Sequence, residues 1–126
     1  MELVLLTKGL PETEPKVRIY GHYAVFNAAA VSLLGLQDGD YVQFAHPVYG
    51  FKKETYVRKT QKTVGSYIAR KRKGTMRVSS VKLSTLLAER LEGNGCYRIC
   101  PEETVPDEDG TWYSIFFRNY DKKNSD

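Results

Sequence analysis

A chain of 126 residues with a formal net charge of +4 is long enough for one domain that buries about two-thirds of the surface its unfolded form exposes. Its two cysteines, Cys96 and Cys100, would stand about 13 Å apart on an extended strand, too far to bridge, so a disulfide scaffold is excluded and a reducing compartment is expected. The charge is uneven: residues 52–82 hold eleven lysines and arginines against the single carboxylate of Glu54, a net +10, so the flanks together are negative and the domain carries a directed field that points towards a polyanion or an acidic protein partner.

The opening run Leu3-Val4-Leu5-Leu6 is too short to span a membrane and follows Glu2 instead of a basic region, so it does not read as a signal peptide. It reads as a strand, over 2–7, of a cytoplasmic protein with no membrane partner. The connection 10–15 holds two prolines and two glutamates and reads as a polar loop. Val17 and Ile19 then alternate with Arg18 and Tyr20, the period-two pattern of a half-buried strand, and Gly21 ends it.

Residues 25–44 are the best-punctuated stretch. Asn27 is a good N-cap, because its side-chain oxygen accepts from the open amides of a first helical turn. Ala30, Val31 and Leu34 give the following short helix one apolar face, and Gly35 stops it in the left-handed conformation. Asp38-Gly39-Asp40 is a tight turn, and the strand after it puts Val42 and Phe44 on one face. The unit is strand, capped helix, turn, strand.

The loop 46–51 holds Pro47 and two aromatic rings, which either stack on a ligand or pack over a barrel mouth. Residues 54–60 and 66–72 have strand character, and the polar 61–65 between them predicts an antiparallel hairpin. Both faces of its second arm become basic towards Lys73, which places that end in solvent.

After Gly74 the order of elements recurs. Ser79 or Ser80 is the cap; Leu83, Leu86, Leu87 and Leu91 form the apolar stripe of a longer helix; Gly93-Asn94-Gly95 ends it; and 96–100 is a strand with Tyr97 and Ile99 on one face. Aligning Asn27 with Ser79 and Val42 with Tyr97 requires about one extra helical turn in the second copy. Internal duplication is the economical explanation, with repeat 1 over about 17–60 and repeat 2 over about 66–119 of a single domain, 1–126. Residues 101–109 read as acidic and irregular, Asp109-Gly110 as a hairpin turn, 112–117 as a strand with two apolar faces, and 120–126 as a frayed, disordered tail.

Leu36-x-x-Gly39-Asp40-x-Val42-x-Phe44 after a capped short helix resembles the repeating unit of the double-psi and related cradle-loop β-barrels, over roughly residues 17–100. Similar units occur in AbrB-type transcription regulators, AAA-unfoldase N-domains and molybdopterin oxidoreductases. The second copy departs from the pattern, with Gly93-Asn94-Gly95-Cys96 where Gly-Asp is usual. The resemblance implies a mainly β, small barrel with two short helices (α+β), built from two pseudo-symmetric strand-helix-strand repeats.

Two uses follow. In the first, a non-enzymatic module binds nucleic acid through a basic β-ribbon within 52–82, using Arg58, Lys59, Lys62, Arg70, Lys71, Arg72, Lys73 and Arg77, with Tyr56 and Tyr67 for stacking. AbrB-type relatives bind DNA through basic residues, which the resemblance carries over as analogy. In the second, implied by the unfoldase N-domains, the aromatic strand 112–117 mediates protein interaction or assembly, and the acidic 102–109 loop meets the basic ribbon within or between copies. No enzyme, cofactor or metal is expected. There is no G-x-S-x-G, H-E-x-x-H or P-loop, Gly93-Asn94-Gly95 follows a helix instead of a strand, and His22, His46, Cys96 and Cys100 lack the spacing of a zinc site.

Overall fold

A computed structural model describes residues 14–50 and 52–119; the strand predicted at 2–7, part of the loops at 10–15 and 46–51, and the tail 120–126 lie outside the described residues. The elements in chain order are β1 (Lys16–Tyr20), β2 (Tyr23–Phe26), α1 (Ala28–Leu34), β3 (Tyr41–Ala45), β4 (Thr55–Thr60), β5 (Tyr67–Ile68), β6 (Arg70–Arg72), β7 (Thr75–Ser79), α2 (Val81–Arg90), β8 (Gly95–Asp107) and β9 (Gly110–Ile115). All pairings are antiparallel, in the order β5-β3-β4-β9-β8-β1-β2-β7-β6.

The first and last strands of that order are one stretch of chain interrupted by Ala69. Ala69 is fully buried; its N–H donates to the carbonyl of Asp40 at 2.8 Å, and its own carbonyl accepts from Gly39 N–H at 2.9 Å. The chain therefore pairs with β3 before Ala69 and with β7 after it. This curls the sheet into a nearly closed barrel, which leaves little exposed edge.

Alternation decides what fills it. Val17, Ile19, Ala24, Phe26, Val42, Val57, Met76, Val78, Tyr97, Ile99 and Ile115 point inward and are buried, and the helices add Ala30, Leu34, Leu83 and Leu87 to the same cluster. Burying each of the larger side chains contributes about 1.5–3 kcal/mol.

Asn27 ties the first helix to the barrel. Its Oδ1 caps α1 by accepting from Ala30 N–H at 2.9 Å and also accepts from Lys16 N–H at 3.0 Å, while its Nδ2 donates to the Glu14 carbonyl at 2.8 Å. Gly35 closes the helix at φ 68°, ψ 35°, a conformation that costs an L residue about 1 kcal/mol or more. The second cap is Ser80, whose Oγ accepts from Leu83 N–H at 3.2 Å.

Three sequence readings need correction. The hairpin of 54–60 with 66–72 does not form: β4 lies between β3 and β9, and β5 pairs with the other edge of β3. Val42 thus faces Lys59 on one side and Tyr67 on the other. Residues 101–107 are not irregular but continue β8, with a register shift between Cys100 and Thr104. Pro101 has no N–H for a ladder, and the shift passes over it. Leu86 is 54 % exposed, whereas Leu83, Leu87 and Leu91 are buried. Ser84 fills the inward place beside Leu87, and its Oγ donates to the Gly21 carbonyl at 2.8 Å.

Asn27→Ala should lower unfolding free energy by about 2 kcal/mol, the upper end for a lost cap, because bonds to two further groups go with it. Asn27→Asp keeps the cap and loses the Nδ2 donor, so it should recover part of that loss. Urea denaturation followed by circular dichroism checks the ordering.

Candidate nucleic-acid interface

The inward alternation of β1, β2 and β7 fixes which of their side chains face out. With Val17, Ile19, Ala24, Phe26, Met76 and Val78 in the core, the outer positions fall to Arg18, Tyr20, Tyr23, Val25, Thr75 and Arg77. Register aligns them across strands: Arg18 opposes Val25, Val25 opposes Arg77, and Arg77 opposes Arg70. Three arginines therefore lie in one row over four strands, and three strand spacings make that row about 14 Å long. Arg70, Lys71 and Arg72 are all exposed, and the β6–β7 turn adds exposed Lys73.

Of the six cations on β1, β2, β6 and β7, Arg18, Arg70, Arg72 and Arg77 take outer positions; Lys16 is buried with Glu14 3.9 Å from its Nζ, and Lys71 is exposed but opposes the core residue Met76. The nearest acid to the β6 end is Asp38, whose Oδ1 accepts from Lys71 N–H at 2.8 Å and whose Oδ2 lies 3.9 Å from Arg70 Nη1. Aromatic rings share the face. Tyr20 opposes Tyr23, with ring centroids 5.7 Å apart, and the Arg77 guanidinium lies over the Tyr23 ring, 4.4 Å from its centroid.

The other predicted cations are elsewhere. β4 is separated from β2 by β9, β8 and β1, and on its other side β3 lies between it and the β5–β6 stretch, so Arg58, Lys59 and Lys62 lie off the row of Arg18, Arg77 and Arg70. Lys59 Nζ donates to the Gly35 carbonyl at 3.2 Å and lies 3.4 Å from Asp40 Oδ2, a position that favours a cation beside the C-terminal end of α1. Lys62 is exposed and lines a cleft of about 860 Å³ together with Glu108 and Asp109.

Arg58 is only 7 % exposed. It donates through Nε and Nη2 to Gln43 Oε1 at 3.1 and 2.8 Å, and through Nη1 to Asp107 Oδ2 at 2.9 Å. Its guanidinium also lies 4.2 Å from the Trp112 ring centroid. A planar fork used in this way stiffens the barrel and presents little to a polyanion. Asp107 is held below the usual carboxylate range, chiefly by the hydrogen bond from Trp112, then by the Glu108 amide, with Arg58 adding to it.

Tyr56 and Tyr67 are not open stacking rings. The Tyr56 hydroxyl donates to Glu54 at 2.6 Å, which pushes its pKa up to about 12, and Tyr67 packs against the core. The residues missed from sequence are Arg18, Tyr20 and Tyr23. The outward alternation of Arg18 and Tyr20 is legible in sequence, but all three lie some fifty residues from the basic run, and only the β2–β7 pairing joins the two.

Among the described residues no three His, Cys, Asp or Glu side chains gather as ligands for an ion. No described helix is long and apolar enough to cross a membrane. Cys96 and Cys100 are both free and buried, and burial is the main cause raising the Cys100 thiol pKa. No protein-family model, curated protein or solved structure matches the chain.

Arg58→Ala should lower stability by about 1–3 kcal/mol, since it strands Gln43 in a part-buried place and uncovers Trp112. Asp107 is depressed in the folded state, so its contribution is present above the ordinary carboxylate pKa and lost as pH falls through the lower, folded value. The emission of Trp112, the sole tryptophan, should therefore respond only below about pH 4, and Asp107→Asn should remove that step.

Proposed function

We propose that this protein is a non-enzymatic nucleic-acid-binding module that holds the polyanion on the outer face of β1, β2, β7 and β6. The observation that carries the reading is the set of four cations, Arg18, Arg70, Arg72 and Arg77, at outer positions of β1, β6 and β7 around β2, flanked by exposed Lys71 and Lys73. Polyanion affinity arises largely from counterion release, so several lysines and arginines on one surface give binding that weakens steeply with salt. The interface is a curved patch of the barrel wall instead of a free ribbon within 52–82. Arg18, Arg70, Arg72 and Arg77 belong to it with Lys71 and Lys73 at its margin, and Arg58, Lys59 and Lys62 do not.

The duplicated cradle-loop architecture is part of the same proposal. A hairpin, a capped helix and a second hairpin occur in order as β1-β2-α1-β3-β4, and again as β6-β7-α2-β8-β9 with β5 as the start of its first strand. β2 and β7 are antiparallel neighbours, and β4 and β9 pair on the opposite wall. A pseudo-twofold between two copies requires that arrangement. A cytoplasmic setting suits the two free, buried cysteines.

Protein docking through 112–117 has less behind it. β9 is paired on both edges, Ile115 is buried and Trp112 lies under Arg58, which leaves Phe116, 46 % exposed, as the one exposed large apolar residue of that segment.

Fluorescence anisotropy with a labelled oligonucleotide at two salt concentrations tests the reading. Binding tighter than ~100 µM at low salt is expected, with a log-log salt slope of about −0.7 to −0.9 per phosphate contacted. Replacing residues 70–73 by serine should weaken binding and flatten the slope, whereas the pair Lys59→Ser and Lys62→Ser should change neither. Salt-independent binding would overturn the proposal.

A further inference from the structure

We infer that this face selects single-stranded over duplex nucleic acid, with Tyr20 as the ring on which an unpaired base stacks; the inference rests on the nucleic-acid reading above. Tyr20 is the most exposed of the rings on the face, at 44 %. Its cross-strand partner Tyr23 is already engaged on several sides: the Arg77 guanidinium lies 4.4 Å from its centroid, His22 meets it edge-on at 6.3 Å and 74°, and Tyr20 itself leans on it at 55°. Tyr23 is thus a fixed prop, and Tyr20 is the ring left to meet a ligand.

Position supplies the rest. Tyr20 is the last paired residue of β1 before the two-residue turn Gly21-His22, so its ring stands at the end of the face, where a strand of nucleic acid can pass over the turn. Arg18 is two residues back on the same side, about 6.6 Å along the strand. The Arg77 guanidinium sits over the Tyr23 ring, 4.4 Å from its centroid, which keeps its charge beside that ring on the same face. A base on Tyr20 therefore leaves its neighbouring phosphates above the arginine row.

This geometry distinguishes strands. In a duplex the base faces are covered by their neighbours, so an exposed phenol ring adds nothing and only the cations act. A single strand offers its base faces, and stacking on an aromatic side chain is sequence-tolerant and strengthens binding roughly 5- to 150-fold per base.

Three DNA ligands of equal length separate the terms: a single strand, the corresponding duplex, and an abasic strand that keeps the sugar-phosphate chain without bases. Anisotropy titrations at one low salt concentration should place the single strand at least fivefold tighter than the other two. Tyr20→Ala should bring the single strand down to the abasic level with the duplex unchanged, and Tyr20→Phe should keep the preference, since the ring does the stacking. Equal affinity of the wild-type protein for single and abasic strands, or a preference untouched by Tyr20→Ala, would overturn the inference while serine substitution of 70–73 still weakened all three ligands and upheld the cationic face. Absence of binding to every ligand would overturn both. Should Tyr20→Ala fail to fold by thermal melting, the abasic comparison and Tyr20→Phe decide the matter.

Discussion

Two hydrogen bonds at one buried residue make this sheet a barrel. Ala69 donates to Asp40 and accepts from Gly39, and so lets a single extended stretch leave β3 and join β7. Without that transfer β6 would have no reason to lie beside β7, and Arg70 would not face Arg77. The turn at Gly39 and Asp40 has a second role besides reversing the chain: it is the acceptor and donor pair that closes the seam. Ala69 suits the position because its small side chain fits a fully buried bend, where a lysine or arginine like those that follow would have to bury a charge.

Closure also explains why the charge ends up where it does. Once the inner positions of β1, β2 and β7 are committed to the core, the alternate residues of those strands must face out, and Arg18 of β1 falls into line with Arg77 of β7 and Arg70 of β6. Carboxylates collect on the other side, where β8 and β9 run on as a hairpin bearing Glu102, Glu103, Asp107, Glu108 and Asp109. Arg58 belongs to that side and is consumed there, between Gln43, Asp107 and Trp112. The result is a domain with a basic wall and an acidic arm.

What could be read from the sequence was whatever is decided within a few residues. The Asn27 cap acts three residues ahead, the Gly35 stop depends on one backbone conformation, and the alternation of 17–20 shows its buried and exposed sides directly. Strand partners were not legible, because a period-two pattern is the same whichever neighbour it pairs with. Hence 66–72 was matched to 54–60, which is adjacent in sequence, instead of to β3 and β7. The fate of Arg58 was hidden for a similar reason: in sequence it looks like Lys59 beside it, and its partners lie 15 and 49 residues away. That Tyr20 and Tyr23 neighbour a basic surface is not legible in sequence, since that adjacency exists only after the chain has passed through the seam at Ala69 and β2 has paired with β7.

The most direct measurement is amide chemical-shift mapping of the labelled protein as an oligonucleotide is added at low salt. The proposed face requires the perturbed amides to form one patch over β1, β2, β6 and β7, including Arg18, Tyr20, Tyr23, Arg77 and residues 70–73, with β4, β9 and the acidic hairpin unmoved. Perturbations centred on Arg58, Lys59 and Lys62, around the cleft on the opposite wall, would contradict it.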